Sequence, residues 1–280
     1  MIQAVEFADL DWGGRSLQIE YQWLGSGNVA APLLVFLHEG LGSLAMWKDF
    51  PQRLCAVLDC RGLIYSRPGY GRSSARPADE SWEVDFMHRQ AYEVLPALLQ
   101  ELDVDTVDDP PWLLGHSDGA SIALLYAARY PQQTGAVIVL APHILVEDIS
   151  IQNIQRARSA YIESDLKDAL QRYHDDPDSA FWGWNDIWLQ DAFRQWSIED
   201  EIAAICCPVL AVQGVDDEYG TLRQVRGIAQ RLQQAEVVEL SRCGHSPHRD
   251  QPEQLIECVG RFVQENYAGK PSRSIDAAGR

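Results

Sequence analysis

Long apolar runs are missing from this chain: no stretch approaches the roughly 20 consecutive residues that a membrane-spanning helix needs. The first residues, Met1-Ile2-Gln3-Ala4-Val5-Glu6, lack the basic region and apolar stretch of a secretion signal, so a cytoplasmic chain is expected. Positive charge is scarce as well. Against 41 Asp and Glu stand 23 Lys and Arg, a net charge of −18. Such a field repels phosphate backbones and anionic lipid surfaces, which weighs against nucleic-acid and membrane partners. Internal repeats and low-complexity tracts are absent, and 46% apolar with 23% charged residues is ordinary globular composition. The six cysteines (Cys55, Cys60, Cys206, Cys207, Cys243, Cys258) show no repeated spacing. They read as reduced thiols rather than a disulfide framework. Cys243-Gly244-His245 with His248 is accompanied by no CxxC or HExxH, so no metal site is expected.

What is present is an alternation. Ala4–Leu10 and Ser16–Leu24 are strand-like and flank Asp11-Trp12-Gly13-Gly14, a turn sequence suited to a hairpin. Short apolar runs follow at Pro32–Leu37, Gly62–Tyr65, Trp112–Leu114, Ala136–Leu140, Val209–Val212 and Val237–Leu240, the pattern of strands buried on both faces. Helix-period segments lie between them: Trp47–Leu58, Phe86–Leu102, Ala120–Tyr130, Leu222–Gln234 and Gln254–Tyr267. The expected fold class is therefore α/β, a mostly parallel central sheet with helices on both faces. One stretch breaks the alternation. Residues 147–196 hold no strand-like run but many aromatics, Trp182, Trp184 and Trp188 among them. They are expected to pack a helical insert onto the core, some of them lining a pocket beneath it. The expected organisation is a core of residues 1–146 and 197–268, a helical cap at 147–196, and a disordered tail at 269–280.

The sharpest local signal is Gly115-His116-Ser117-Asp118-Gly119, lying between an apolar run and a helical one. A serine on such a strand-to-helix turn presents its hydroxyl above the sheet edge, and flanking glycines remove Cβ clashes. The helix N-terminus beside it favours developing negative charge. A serine hydroxyl needs a base, and the base a third group to orient it. Both are available later in the chain. The loop Gly214-Val215-Asp216-Asp217-Glu218-Tyr219-Gly220 follows one apolar run and is rich in carboxylates, while His245 and His248 follow the last.

With these motifs the chain resembles an α/β-hydrolase with a helical cap, over nearly its whole length. The resemblance extends to the loop Leu37-His38-Glu39-Gly40-Leu41-Gly42-Ser43 and to the turn Arg67-Pro68-Gly69-Tyr70-Gly71-Arg72-Ser73-Ser74. It implies Ser117 as nucleophile, Asp217 as orienting acid and His245 as general base, with Asp216 the one-residue alternative for the acid. It also implies an oxyanion hole from the backbone N–H groups of Asp118 and Gly40. His38, His116 and His248 are expected to brace loops, with His38 and Glu39 close enough to be possible pocket residues. Glu39 stands where the family usually has Gly, and is expected either to brace its loop or to meet a cation such as Arg67 or Arg72. Acids at 39 and 118 would disfavour anionic substrates or suit amine-bearing ones.

The leading expectation is a serine hydrolase that cleaves a small ester, thioester or related acyl substrate, with no metal or organic cofactor and a small molecule as its partner. A carbon–carbon bond hydrolase of aromatic ring-fission products would use the same triad and would need a cation for the substrate carboxylate, for which Arg194 is the candidate. From a different class, a non-catalytic ligand-binding protein on the same fold would keep similar residues. Oligomeric state is not encoded in any of these features.

Overall fold

The computed structural model describes residues 4–25 and 31–267, so the expected tail at 269–280 lies outside the described residues. The opening hairpin pairs β1 (Glu6–Trp12) with β2 (Arg15–Gly25) around the tight turn Gly13-Gly14. The apolar runs become β3 (Leu33–Leu37), β4 (Arg61–Tyr65), β5 (Trp112–His116), β6 (Ala136–Leu140), β7 (Val209–Gly214) and β8 (Ala235–Leu240). They form one eight-stranded sheet in the order β1-β2-β4-β3-β5-β6-β7-β8. The β1–β2 and β2–β4 pairs are antiparallel, and every pair from β4 to β8 is parallel.

Burial on both faces explains the unbroken apolar strands, because successive side chains point to opposite sides. In β3, Leu33, Val35 and Leu37 enter one core while Leu34 and Phe36 enter the other. Two helices, α1 (Phe50–Leu58) and the C-terminal one, cover the second core. The expected helix from Trp47 divides: a 3-10 turn at Leu44–Trp47 ends at Lys48, and α1 begins at Phe50. Pro51 fits a first helical turn but offers no N–H to the Trp47 carbonyl four residues back.

A similar cause shapes the segment expected as one helix over Phe86–Leu102. It is α2 (Phe86–Arg89), a π turn at Gln90–Val94 and α3 (Leu95–Glu101). Pro96 has no N–H for the carbonyl of Tyr92. That carbonyl accepts from the Tyr130 hydroxyl instead, at 3.0 Å.

Helix α4 (Asp118–Arg129) runs under the first face, and Pro131 lies two residues beyond it. Between β6 and β7 the chain forms α5 (Asp148–Glu163), α6 (Leu166–Leu170), α7 (Pro177–Trp188) and a 3-10 turn at Asp191–Gln195. Aromatics hold these elements together: Tyr161 stacks on Phe181 at 3.8 Å, and Trp188 packs edge-on to Phe193 at 5.0 Å. Their apolar side chains are continuous with the first core. The chain then completes α8 (Arg223–Arg231), α9 (Pro247–Asp250) and α10 (Pro252–Tyr267). Among the described residues, no helix is long and apolar enough to cross a membrane.

Candidate active site

The parallel strands end on one side of the sheet, and three of their exit loops meet there. At the end of β5 the chain reverses into α4 within one residue. Ser117 takes φ +53° and ψ −120°, an uncommon conformation for a residue with a side chain. Gly115 and Gly119 are required by space: a Cβ at 115 would collide with the Gly119 carbonyl, and one at 119 with the Leu37 carbonyl. The Ser117 amide donates to the Leu140 carbonyl at 2.9 Å, tying the turn to β6.

The loop after β7 supplies Asp217 and the loop after β8 supplies His245. His245 Nδ1 lies 2.8 Å from Asp217 Oδ1, and Nε2 lies 2.9 Å from Ser117 Oγ. A carboxylate only accepts, so Nδ1 carries the proton and Nε2 is left to accept from the serine hydroxyl. Asp217 is buried and also accepts from the Tyr219 amide at 2.8 Å, the Gly220 amide at 3.2 Å and Gln213 Nε2 at 3.0 Å. Burial opposes its ionisation, but the His245 bond and the Tyr219 amide outweigh that and hold its pKa at about 2. For His245 burial works against the charged ring, yet Asp217, Glu218 and Glu39 together leave its pKa raised. Asp216 is exposed, and its amide donates to the Cys243 carbonyl; the structure brings Asp217 to the histidine.

The loop after β3 faces Ser117. His38 braces it as expected: Nδ1–H donates to the Glu39 carbonyl at 2.7 Å and Nε2 accepts from the Arg67 amide at 3.0 Å. Arg67 Nη2 and the Gly42 amide donate to the same carbonyl. The Glu39 carboxylate meets neither expected arginine. It faces His116 Nδ1 at 3.4 Å, whereas Arg67 bonds only the backbone and Arg72 runs over the Phe7 ring beside Glu20. His116 Nε2 lies 2.6 Å from the His245 carbonyl oxygen, and His248 packs against Trp47 and Phe50. The amide of Asp118 opens α4, where N–H groups have no partner within the helix. Gly40 backs onto the indole of Trp184, which leaves no room for a side chain at 40.

Above Ser117 lies a cavity of about 120 Å3. Three of the expected pocket residues, Glu39, Trp184 and Trp188, line it together with Gly40 and Asp118, but the other two do not. His38 is held beneath its own loop. Trp182 packs outward against Tyr161 and under Arg158. Leu41, His143, Ile154 and Tyr219 also line the cavity and were not singled out from sequence. His143 follows the end of β6 by three residues, a strand end of the kind where parallel sheets hold ligands, and that position was the available signal. Its ring is fully buried, and burial first, then the charge of His245, pushes its pKa down to about 3. Arg194 pairs with Asp148 and Asp191 at 3.8 Å and stands away from the cavity. A larger groove of about 680 Å3 runs along α8, but neither Ser117 nor His245 lines it.

Comparison with known proteins agrees with this architecture. Residues 34–257 match the alpha/beta hydrolase family. The chain belongs to that family. It is similar to the bifunctional esterase/perhydrolase of Acinetobacter calcoaceticus, 25% identical over 242 residues that cover 74% of this chain and 77% of that one. It is also similar to esterase Rv0045c of Mycobacterium tuberculosis, 23% identical across 92% of this chain and 86% of that one. Among solved structures, an esterase from Thermogutta terrifontis superposes with a TM-score of 0.73 at 17% identity, covering 94% of this chain and 99% of the other. As a member of the alpha/beta hydrolase family the chain is a hydrolase, and ester hydrolysis is consistent with its relatives.

Proposed function

We propose that this hydrolase cleaves small carboxylic esters through a Ser117–His245–Asp217 triad and an acyl-enzyme. The observation that carries the reading is the His245 ring held between Ser117 Oγ at 2.9 Å and Asp217 at 2.8 Å. In the proposed cycle His245 Nε2 takes the hydroxyl proton as Ser117 Oγ attacks the ester carbonyl carbon. The Asp118 and Gly40 amides hold the oxyanion, with the positive end of α4 behind Asp118. Collapse breaks the ester C–O bond, and His245 returns the proton to the leaving alcohol. Water, deprotonated by the same histidine, then releases the acid.

Cavity size points to the acyl group. An engineered apolar cavity of about 150 Å3 holds benzene, so the 120 Å3 here suits an acyl chain of a few carbons. The helical segment 147–196 acts as the cap that sets this limit, through Ile154, Trp184 and Trp188. A ring-fission substrate would need a cation for its carboxylate, and no Lys or Arg is among the described residues that line the cavity. The cysteines are all unbridged, in keeping with a reducing cytoplasm.

The test is labelling by a fluorophosphonate probe. The folded wild-type protein is expected to take up one equivalent and Ser117→Ala none. A folded wild type that stays unlabelled would sink the serine-hydrolase reading.

A further inference from the structure

Asp118 follows the proposed nucleophile, and its side chain is fully buried at the cavity wall. Oδ1 accepts from the Trp188 indole N–H at 3.2 Å, while Oδ2 is buried with no hydrogen-bond partner. A carboxylate offers about four acceptor positions. Leaving one oxygen wholly unpaired is expensive unless a partner arrives from outside. Arg67, the nearby cation, favours the ionised carboxylate through its charge but hydrogen-bonds neither of its oxygens. It donates Nη2 to the Glu39 carbonyl, lies over the Tyr70 ring at 4.7 Å, and is not among the residues lining the cavity.

The rest of the wall narrows the choice. Glu39 adds a second carboxylate, and the rings of Trp184, Trp188 and Tyr219 add aromatic surface. An anionic acyl group would meet two like charges. A plain alkyl chain would leave Oδ2 unpaired. An ammonium group brings three donors and a charge that both carboxylates and aromatic faces attract. We propose that the cavity selects acyl groups bearing a positively charged amine, with the Asp118 carboxylate as its counter-charge; this rests on the serine-hydrolase reading above. The substrate class is then an ester whose acyl group carries an amine. Water and the ester give the free amino acid and the alcohol.

Burial raises the Asp118 pKa to about 6, with Arg67 opposing the rise. A bound ammonium would hold the carboxylate ionised.

The experiment compares three methyl esters at pH 7 with the full-length protein. L-Alanine methyl ester and methyl propionate differ only by the ammonium, and methyl lactate replaces it with a hydroxyl. The expected kcat/KM for the alanine ester exceeds that for propionate by at least tenfold, mainly through KM, and exceeds that for lactate as well. Asp118→Asn is expected to reduce the alanine-to-propionate ratio at least tenfold. Should that variant misfold, the wild-type ratios decide alone. Propionate turned over as well as alanine would overturn the ammonium site and leave the hydrolase reading standing. Lactate equal to alanine would overturn it too, in favour of a neutral donor. No ester cleaved and no fluorophosphonate label would instead bring down the hydrolase reading, and this proposal with it.

Discussion

The core wall of the cavity and the helical wall facing it are held by different forces. On the core side, position is fixed by backbone geometry and short polar contacts. Ser117 sits at φ +53° with its amide on Leu140, Asp217 accepts from four donors, and the Glu39 carbonyl accepts from three. On the helical side, Ile154, Trp184 and Trp188 are placed by packing of large side chains. The polar ties there are fewer. His174 bridges the walls, its Nδ1 accepting from the Gly71 amide at 2.9 Å and its Nε2–H donating to the Leu41 carbonyl at 3.0 Å. Hydrogen-bonded loops fix atoms to the few tenths of an ångström that proton transfer needs. Packed aromatics set a volume, and a volume can change without disturbing the chemistry beneath it.

The widest separation between the walls should come from the core side. Ser117→Ala or His245→Ala is expected to lower kcat on p-nitrophenyl acetate by about 10^5–10^6. Asp217→Asn should cost about 10^4, because the amide permits the wrong imidazole tautomer. Asp216→Asn, one residue away but exposed, should stay near wild type. Circular dichroism checks that each variant is folded. A larger loss at Asp216 than at Asp217 would overturn the assignment of the acid.

This asymmetry also explains what could be read in advance. The sheet was legible because buried parallel strands have a continuous apolar signature, while Ser117 and His245 were singled out by their place in loops after apolar runs, loops that the fold brings within 2.9 Å of each other. For the acid the resemblance implied Asp217 with Asp216 as its one-residue alternative, since spacing cannot tell which of two adjacent carboxylates is turned inward. Trp182 was included and His143 overlooked for one reason. Which side of a helix or loop faces a cavity depends on packing between segments distant in sequence, and local periodicity does not record it. Glu39 was expected either to brace its loop or to meet Arg67 or Arg72, and its carboxylate faces His116 rather than either arginine, a partner that only the fold brings near.

The helical side should respond in specificity more than in rate. Trp184→Ala enlarges the cavity beside Gly40. Each methylene accommodated or refused is worth about 10- to 200-fold. The ratio of kcat/KM for p-nitrophenyl hexanoate to acetate is therefore expected to rise by about tenfold or more, with acetate turnover changing less. An unchanged ratio would mean that the helical wall does not set acyl length.

The smallest expected effect lies where core loop and cavity meet, at Glu39. Its carboxylate is held well below the usual range: burial opposes its charge, but the bond to His116 and the nearby His248 and His38 prevail. As an anion it is one of the charges that favour the His245 imidazolium. As the proposed base His245 acts only when neutral, so activity is expected to fall as pH drops through its pKa, which is raised from the ordinary 6.5. Glu39→Gln removes a negative charge that stabilises the protonated ring. The acid limb of kcat/KM should therefore move to lower pH, and Glu39→Asp, which keeps the charge, should move it less. A limb moving to higher pH in Glu39→Gln would show that the carboxylate acts on His245 through the His116 contact to its backbone rather than through its charge.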